Sequence, residues 1–354
     1  MDANTSEILF EKRGAAGVIT LNRPQALNAV THDMVLALSA QLKAWADDDS
    51  ITRVVVTAAG ERAFSAGGDI RHLYELGIAS RQAEALLFWS DEYPLNVLIK
   101  NYRKPYVALI DGIVMGGGVG VSIHGSHRVA GDRFSFAMPE VGIGFFPDVG
   151  ATWMLPRLPG EFGIYCALTG DRFNAADGVA AGVATHRVPS ARFPDLLEGL
   201  MGTVSVDATL AAFAEPAEEG PIMARQATID RLFAHDRVED ILAALDGEVA
   251  GRGGDAEWAA KTAATIRTKS PLSLKIALQQ MRRGKTWDFE TCMRAEFRIV
   301  SRIIEGHDFY EGVRAVIVDK DNKPHWNPAT LAAVSEEDVA RHFAPRPDGE
   351  LGLP

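Results

Sequence analysis

The stretch YVALIDGIVMGGGVGVSIHG, residues 106–125, joins a wholly apolar run to three consecutive glycines. Its first five residues are all apolar, which is typical of a strand buried on both faces. Glycines that follow such a strand and lead into a helix let backbone N–H groups reach a ligand, because no Cβ stands in the way. The stretch therefore predicts a buried strand, a tight turn and the start of a helix.

A second pair of glycines stands in the same relation to another apolar strand. The run RVVVTA, residues 53–58, precedes AFSAGGDI, residues 63–70. Each glycine stretch is a candidate half of an oxyanion hole, although glycine runs also serve tight packing. Neither stretch fits a dinucleotide fingerprint or a phosphate-binding loop. The segment GVSIH lacks the final glycine of a serine-hydrolase elbow.

The pattern of strand and helix signals divides the chain into two parts. In the first part strand-like and helix-like segments alternate, and Thr31 is a candidate cap for a helix with one apolar face. In the second part the periods are helical almost throughout, and AEPAEEGP, residues 214–221, is the best candidate linker. We therefore predict an α/β core over residues 1–205 and a helical C-terminal region over residues 206–354.

Composition and charge exclude several classes of protein. The 354-residue chain is 47% hydrophobic and 23% charged, which is ordinary for a soluble globular protein. Its net charge of −11 argues against nucleic acid or an anionic membrane as a partner, because such binding needs clustered Lys and Arg. No apolar run has the length of a membrane span, and the N-terminus is acidic and polar. We therefore expect a cytoplasmic protein without a signal or transit segment.

Residues that could bind a metal or form a disulfide are few. Cys166 and Cys292 are the only cysteines and form no C-x-x-C pair, so we expect two buried thiols. His124 and His127 fall in the predicted helix after the glycines, but two histidines without a third ligand make a weak metal site. His186 is expected to be structural. The sequence therefore predicts no metal centre.

A third stretch, FAMPEVGIGFFPDVGATWMLPRL, residues 136–158, adds two acidic residues. Glu140 stands in a strongly apolar context, which would raise its pKa and remove water from it, as suits a general base or a nucleophile. Asp148 follows beyond a loop that contains glycines and a proline. The two residues are a candidate acid/base pair, although a solvated loop with incidental acids also fits this pattern.

Together these motifs resemble the crotonase, or enoyl-CoA hydratase/isomerase, superfamily. The motifs occur in that family's order and spacing between Gly17 and Val188, and they are GVITLNRPQALNAV, RAFSAGGDI, YVALIDGIVMGGGVG, MPEVGIGFFPDVGATWMLPRL and ALTGDRFNAADGVAAGVATHRV. The resemblance implies an α/β fold, a spiral of ββα turns with two roughly perpendicular sheets, followed by the helical region. It also implies an acyl-CoA substrate bound against the core.

The same resemblance implies roles for individual residues. The backbone N–H groups of Gly68 and Gly117 match an oxyanion hole, and a helix start near Gly117 would favour a developing negative oxygen. Glu140 and Asp148 match the catalytic positions. Glu92, in SDEYPLN, aligns with an acidic residue that lines the acyl pocket. The residues implied at the CoA moiety are Ala66, Gly68, Asp69 and Ile70.

Two departures from the hydratase pattern narrow the implied reaction. Hydratases of the superfamily carry a carboxylate a few residues after the glycine run, where this chain has Gly120. Where hydratases usually have glycine this chain has Asp148, as in the 3-hydroxyisobutyryl-CoA hydrolase branch. The resemblance thus implies hydrolysis of a short-chain hydroxyacyl-CoA thioester in valine catabolism. Glu140 would attack the thioester or activate water, without a metal or redox cofactor.

Other functions stay open from the sequence alone. An isomerase of the superfamily can operate with a single glutamate at the position of Glu140, so Gly120 does not exclude it. A non-catalytic acyl-CoA or RNA-binding module is a further alternative, against which the retained motifs and the acidic charge argue. The candidates for the CoA phosphates are Arg23, Arg62 and Arg71. An assembly of identical chains through the helical region is also compatible with the sequence.

Overall fold

The computed structural model describes residues 6–218 and 220–354. Residues 1–5 of the predicted core, and Glu219 of the predicted linker, lie outside the described residues. The strands are β1 (Ile8–Arg13), β2 (Ala16–Leu21), β3 (Arg53–Ala58), β4 (Ala63–Ser65), β5 (Tyr106–Ile110), β6 (Ile113–Met115), β7 (His127–Ala130), β8 (Ser135–Ala137) and β9 (His186–Arg187).

Successive turns of the chain build two sheets at the same time. The larger sheet has the order β1-β2-β3-β5-β7-β9, and only its β1–β2 pair is antiparallel. The smaller sheet, β4-β6-β8, is parallel. Thus β3, β5 and β7 each enter the larger sheet, and the strand that follows each of them enters the smaller one. This arrangement confirms the predicted α/β spiral with two sheets.

Helices connect the turns of the spiral and make up most of the second half. In the spiral they are α1 (His32–Ala46), α2 (Ile70–Ile78), α3 (Gln82–Lys100), α4 (Gly117–Gly120), α5 (Ala151–Met154), α6 (Phe162–Thr169), α7 (Ala175–Ala180) and α8 (Phe193–Met201). After it they are α9 (Val206–Phe213), α10 (Gln226–Phe233), α11 (Val238–Gly251), α12 (Ala256–Arg267), α13 (Pro271–Gly284), α14 (Phe289–Ile303), α15 (Asp308–Val313) and α16 (Glu336–Phe343).

The helix starts follow the capping signals of the sequence. Oγ1 of Thr31 accepts a hydrogen bond from the Met34 N–H at 3.3 Å and so caps α1. Ser270 caps α13 in the same way, with Pro271 in the first turn, where its missing N–H does no harm. Two positions differ from the prediction. Because α4 ends at Gly120, neither His124 nor His127 lies in the helix after the glycines: His124 lies in a turn and His127 begins β7.

The helical region packs on the spiral without a break in the core. One cluster of buried apolar side chains includes residues from Ile8 in β1 to Leu351 near the C-terminus. The boundary between residues 205 and 206 therefore stays a prediction of sequence pattern. In the described part of the chain, no helix is both long enough and apolar enough to cross a bilayer.

Candidate active site

The two glycine turns lie side by side where β4 and β6 end. A Cβ on Gly117 would stand 3.2 Å from the amide nitrogen of Gly68. Gly67 and Gly116 have φ angles of +118° and +44°, in the region that side chains rarely adopt. Glycine is needed here because the two backbones approach so closely. We call residues 67–68 and 116–117 the glycine wall.

The glycine wall carries two backbone N–H groups without a partner. Among the described residues, the N–H groups of Gly68 and Gly117 have no hydrogen-bond acceptor. The N–H group that follows Gly68 is satisfied, since the Asp69 N–H donates to the carbonyl of Val30 at 2.9 Å. Backbone N–H groups away from water are rarely left unpaired. Two adjacent free donors can bind one oxygen atom on which negative charge develops.

Glu140 lies beside the glycine wall in a 3-10 turn, residues 140–143, after β8. Its side chain is buried, and Oε2 has no hydrogen-bond partner among the described residues. Oε1 lies 3.5 Å from the point where a Cβ on Gly116 would stand. Burial, and to a smaller extent the charge of Asp148, raises the pKa of Glu140 well above its usual value. The predicted apolar surroundings of this carboxyl are therefore confirmed.

Asp148 lies in the loop before α5 and is also buried. Its Oδ2 accepts a hydrogen bond from the hydroxyl of Tyr93 at 3.0 Å. Burial raises the pKa of Asp148 to about 7, although the Tyr93 hydrogen bond acts in the opposite direction. Val149, the next residue, has a φ of +51°, which is strained for a β-branched side chain. Asp148 is thus held by a strained turn.

Glu92 enters the same region from α3. Its side chain is buried, and Oε1 lies 2.8 Å from the point where a Cβ on Gly117 would stand. That oxygen has no partner among the described residues. Burial raises the pKa of Glu92 well above its usual value, and the charges of Asp148 and Glu296 raise it further. The structure therefore brings Glu92, Glu140 and Asp148 together around the glycine wall.

Glu296 on α14 is a member of this carboxylate cluster that the sequence interpretation missed. Its two carboxylate oxygens accept hydrogen bonds from the backbone N–H groups of Gly150, at 2.8 Å, and Thr152, at 2.9 Å. These groups belong to the first turn of α5, where an acidic side chain is favourable. Burial, and then the charge of Asp148, raises the pKa of Glu296 to about 8. An acid in the middle of the apolar face of α14 was the signal available in the sequence.

Two further side chains hold the turn that carries Asp148. Gln280, buried on α13, donates from Nε2 to the carbonyl of Pro147 at 3.0 Å and to Oγ1 of Thr152 at 2.8 Å. Burial lowers the pKa of His124 to about 4, so its ring is neutral and donates from Nε2 to the carbonyl of Val149 at 2.6 Å. His124 is thus a positioning group.

At Gly120, where hydratases carry a carboxylate, the side chains of Asn96 and Val149 occupy the space that a side chain would need. A Cβ on Gly120 would lie 2.7 Å from Nδ2 of Asn96 and 3.0 Å from Cβ of Val149. Even an alanine at this position would force its neighbours to move. The structure therefore leaves no room at Gly120 for an acidic side chain.

The residues predicted at the CoA moiety form the link from β4 to α2. Asp69 caps α2 and forms an ion pair with Arg23 at 3.1 Å. Arg23 therefore has its charge paired within the protein. Arg71 donates to a backbone carbonyl at 3.2 Å, and Arg62 is exposed. Of the residues predicted at the CoA moiety, Gly68 is part of the glycine wall, and Ala66, Asp69 and Ile70 lie next to it in the chain.

Aromatic side chains and α15 close the apolar side of the site. Trp89 stacks on Phe145 at 5.6 Å between ring centroids, and Phe145 meets Phe309 of α15 at 5.5 Å. Oγ of Ser270 donates to Oδ2 of Asp308 at 2.6 Å, which ties α15 to the start of α13. Trp89, Phe145 and Phe309 are themselves buried. Cys166 and Cys292 are both buried, as predicted.

The free N–H groups of the glycine wall can stabilise an oxygen atom that becomes negatively charged. The carboxyl groups of the site can transfer a proton or act as a nucleophile. No group of three or more His, Cys, Asp or Glu side chains arranged for a metal occurs in residues 6–218 and 220–354.

Comparison with known proteins identifies the family of the chain. The sequence pattern of the enoyl-CoA hydratase/isomerase family matches residues 16–343. A zebrafish (Danio rerio) protein named 3-hydroxyisobutyryl-CoA hydrolase, mitochondrial, is 45% identical, over 98% of this chain and 92% of its own. The human protein of that name is 42% identical, over 95% of this chain and 88% of its own. Both relatives are named as mitochondrial, which contradicts the predicted cytoplasmic location.

Solved structures with the same fold carry other names. A structure titled carnitinyl-CoA dehydratase, from Mycobacterium thermoresistibile, is 43% identical with a TM-score of 0.92 and covers 99% of both chains. One titled enoyl-CoA hydratase, from Rhodobacter sphaeroides, is 39% identical with a TM-score of 0.91, over 98% of this chain and all of its own. By fold, by sequence and by the arrangement of its site, this chain belongs to the enoyl-CoA hydratase/isomerase, or crotonase, family.

Proposed function

We propose that this protein hydrolyses the thioester of a short-chain hydroxyacyl-CoA, with 3-hydroxyisobutyryl-CoA as its substrate, in the breakdown of valine. The observation that carries the proposal is a buried Glu140 beside the unpaired N–H groups of Gly68 and Gly117. The relatives named for this hydrolysis, which align along nearly the whole chain, support the choice of substrate.

The proposed reaction begins with the thioester carbonyl oxygen in the glycine wall. The N–H groups of Gly68 and Gly117 donate to this oxygen and stabilise its charge as the carbonyl carbon becomes tetrahedral. Ionised Glu140 attacks that carbon, which forms an anhydride and releases the CoA thiolate, and water then hydrolyses the anhydride. Alternatively Glu140 takes a proton from the attacking water. A thiolate leaves without a strong acid, because the pKa of a thiol is about 8.5.

The other carboxyl groups suit a substrate that carries a hydroxyl. Burial raises the pKa of Glu92 well above its usual value and so favours its protonated form, which can donate a hydrogen bond to the acyl hydroxyl. Asp148, with a pKa of about 7, can accept one from that hydroxyl or orient the water. This scheme uses no metal or redox cofactor.

Addition or removal of water at a double bond is the second candidate, because two similar structures carry such titles. The filled space around Gly120 argues against it, since the second carboxylate of a hydratase has no place there.

A thiol-release assay over a panel of acyl-CoA esters tests both candidates. The panel contains 3-hydroxyisobutyryl-CoA, its analogue without the hydroxyl, and an enoyl-CoA. We expect free thiol with the first ester and a lower kcat/KM with the second. Loss of the enoyl absorbance without release of thiol would instead identify a hydratase.

A further inference from the structure

A second cavity lies away from the glycine wall. Its volume is about 400 Å³, and its walls come from the C-terminal end of α3, the N-terminal ends of β5 and β7, and α5. The glycine wall, in contrast, follows the C-terminal ends of β4 and β6. Neither the glycine wall nor Glu140, Asp148 or Glu92 lines this cavity. We call it the basic cavity.

The lining of the basic cavity carries one sign of charge. Its cationic side chains are Lys100, Lys104, Arg128 and Arg157. None of the described residues that line it is an Asp or a Glu. The whole chain has a net charge of −11, so this concentration of positive charge runs against the composition of the protein. A cavity of one charge sign with low-dielectric walls attracts ions of the opposite sign.

The charges of the two arginines are not neutralised within the described chain. Arg128 donates to the backbone carbonyls of Gly125, Gly182 and Val183 at 2.9 to 3.2 Å. Arg157 donates to three backbone carbonyls at 2.7 to 2.8 Å. A carbonyl accepts a hydrogen bond but carries no net charge, and each guanidinium has further N–H groups to offer. Neither arginine forms an ion pair with a described carboxylate.

Lys100 is the least satisfied of these cations. Its Nζ lies 4.0 Å from the centre of the Trp153 ring and has no hydrogen-bond acceptor among the described residues. Arg157 lies over the same ring at 4.5 Å. Burial lowers the pKa of Lys100, and the charges of Arg128 and Arg157 lower it further. A bound anion would relieve this repulsion.

We propose that the basic cavity binds a small multivalent oxyanion, a ligand with phosphate or carboxylate groups, through Lys100, Arg128 and Arg157. Planar guanidinium groups match the oxygens of such ligands, and the ammonium group of Lys100 supplies further donors. The cavity also touches the turn that carries Asp148, through Trp153 of α5 and through His124, which donates to Val149. An occupant therefore contacts an element that positions a group of the catalytic site.

Isothermal titration calorimetry of the full-length protein tests this site with two probes, inorganic pyrophosphate and citrate. The titrations are repeated with saturating CoA, so that phosphate-binding groups at the catalytic site are occupied. We expect at least one probe to bind with and without CoA, and the stronger probe identifies phosphate or carboxylate as the preferred group. Absence of binding by both probes, or its loss in the presence of CoA, would overturn the proposal.

Lys100→Met removes the free ammonium group and should weaken binding about tenfold or more, which is the contribution of a hydrogen bond to a charged group. Lys43→Met is the matched control, because it removes the same charge from an exposed position on α1 outside the cavity. If Lys100→Met fails to fold, Lys100→Gln serves in its place. Equal affinities in the native protein and the folded Lys100 variant would contradict the assignment.

Discussion

The turn that carries Glu140 and the turn that carries Asp148 are neighbours in sequence but are held by different parts of the chain. The Glu140 turn is closed largely by its own backbone, through hydrogen bonds from Gly142 to Pro139 and from Phe145 to Glu140. The Asp148 turn is strained at Val149 and is held by side chains from other elements, Gln280 on α13, Glu296 on α14 and His124 from the turn after α4.

This difference separates two kinds of residue in the site. The spiral supplies the groups that would react with substrate, and local sequence patterns reveal them. The helical region supplies groups such as Glu296 that fix where Asp148 lies. Loss of a reacting group should abolish turnover, whereas loss of a positioning group should weaken both turnover and stability.

The largest effect is expected at Glu140. Glu140→Gln keeps the shape of the side chain but removes the carboxylate, so turnover in the thiol-release assay should fall about 1,000-fold or more. The fold should be retained, because a neutral amide avoids the cost of burying a charge. Thermal unfolding and CoA binding provide the controls. Near-native turnover in this variant would refute the assigned role of Glu140.

Gly117→Ala tests the glycine wall. The added Cβ would stand 2.8 Å from Oε1 of Glu92 and 3.2 Å from the Gly68 nitrogen. The two glycine turns would therefore have to move apart. Turnover should fall about 100-fold, the cost of losing one oxyanion donor. Gly247→Ala on α11 is the matched control, since its Cβ meets no atom within 4 Å. The control should keep full turnover and gain about 0.5 to 1 kcal/mol of stability.

Glu296→Ala tests the positioning region. It leaves the N–H groups of Gly150 and Thr152 without acceptors, so the free energy of unfolding should fall by about 3 kcal/mol. We expect kcat to fall about tenfold with a small change in KM, because Asp148 is displaced while the glycine wall stays intact. Glu296→Gln, which retains one acceptor oxygen, should recover part of both losses. A change in stability alone would limit Glu296 to a structural role.

The same contrast explains what the sequence could predict. Gly117 and Glu140 were recognisable because each lies in a short contiguous motif, and the resemblance of these motifs to the family implied their roles. The hydrogen bond from Gly150 to Glu296 spans 146 positions and depends on how α14 packs. The sequence predicted the helical period of this region, but not which backbone groups the side chains of α14 would meet. The partner of His124 was hidden for the same reason.

The smallest effect is expected in the pH dependence of kcat/KM, which tests specifically whether the charge of Asp148 affects the ionisation of Glu140. Burial disfavours the charged form of Glu140 and so raises its pKa. Because the carboxylate is the active form, kcat/KM should rise with pH. This rise should occur at a higher pH than the usual pKa of a glutamate would give. Asp148 ionises with a pKa of about 7, and its negative charge further opposes ionisation of Glu140.

In the native protein, the rise of kcat/KM with pH should therefore reflect two coupled ionisations. Asp148→Asn removes the second negative charge while keeping a hydrogen-bonding side chain, so the rise should sharpen to one ionisation and shift to lower pH. Turnover of the hydroxyacyl ester should also fall more than that of its analogue without the hydroxyl, if Asp148 orients that group. A rise with the same midpoint and slope in both proteins would mean that the Asp148 turn acts on Glu140 only through its position and not through its charge.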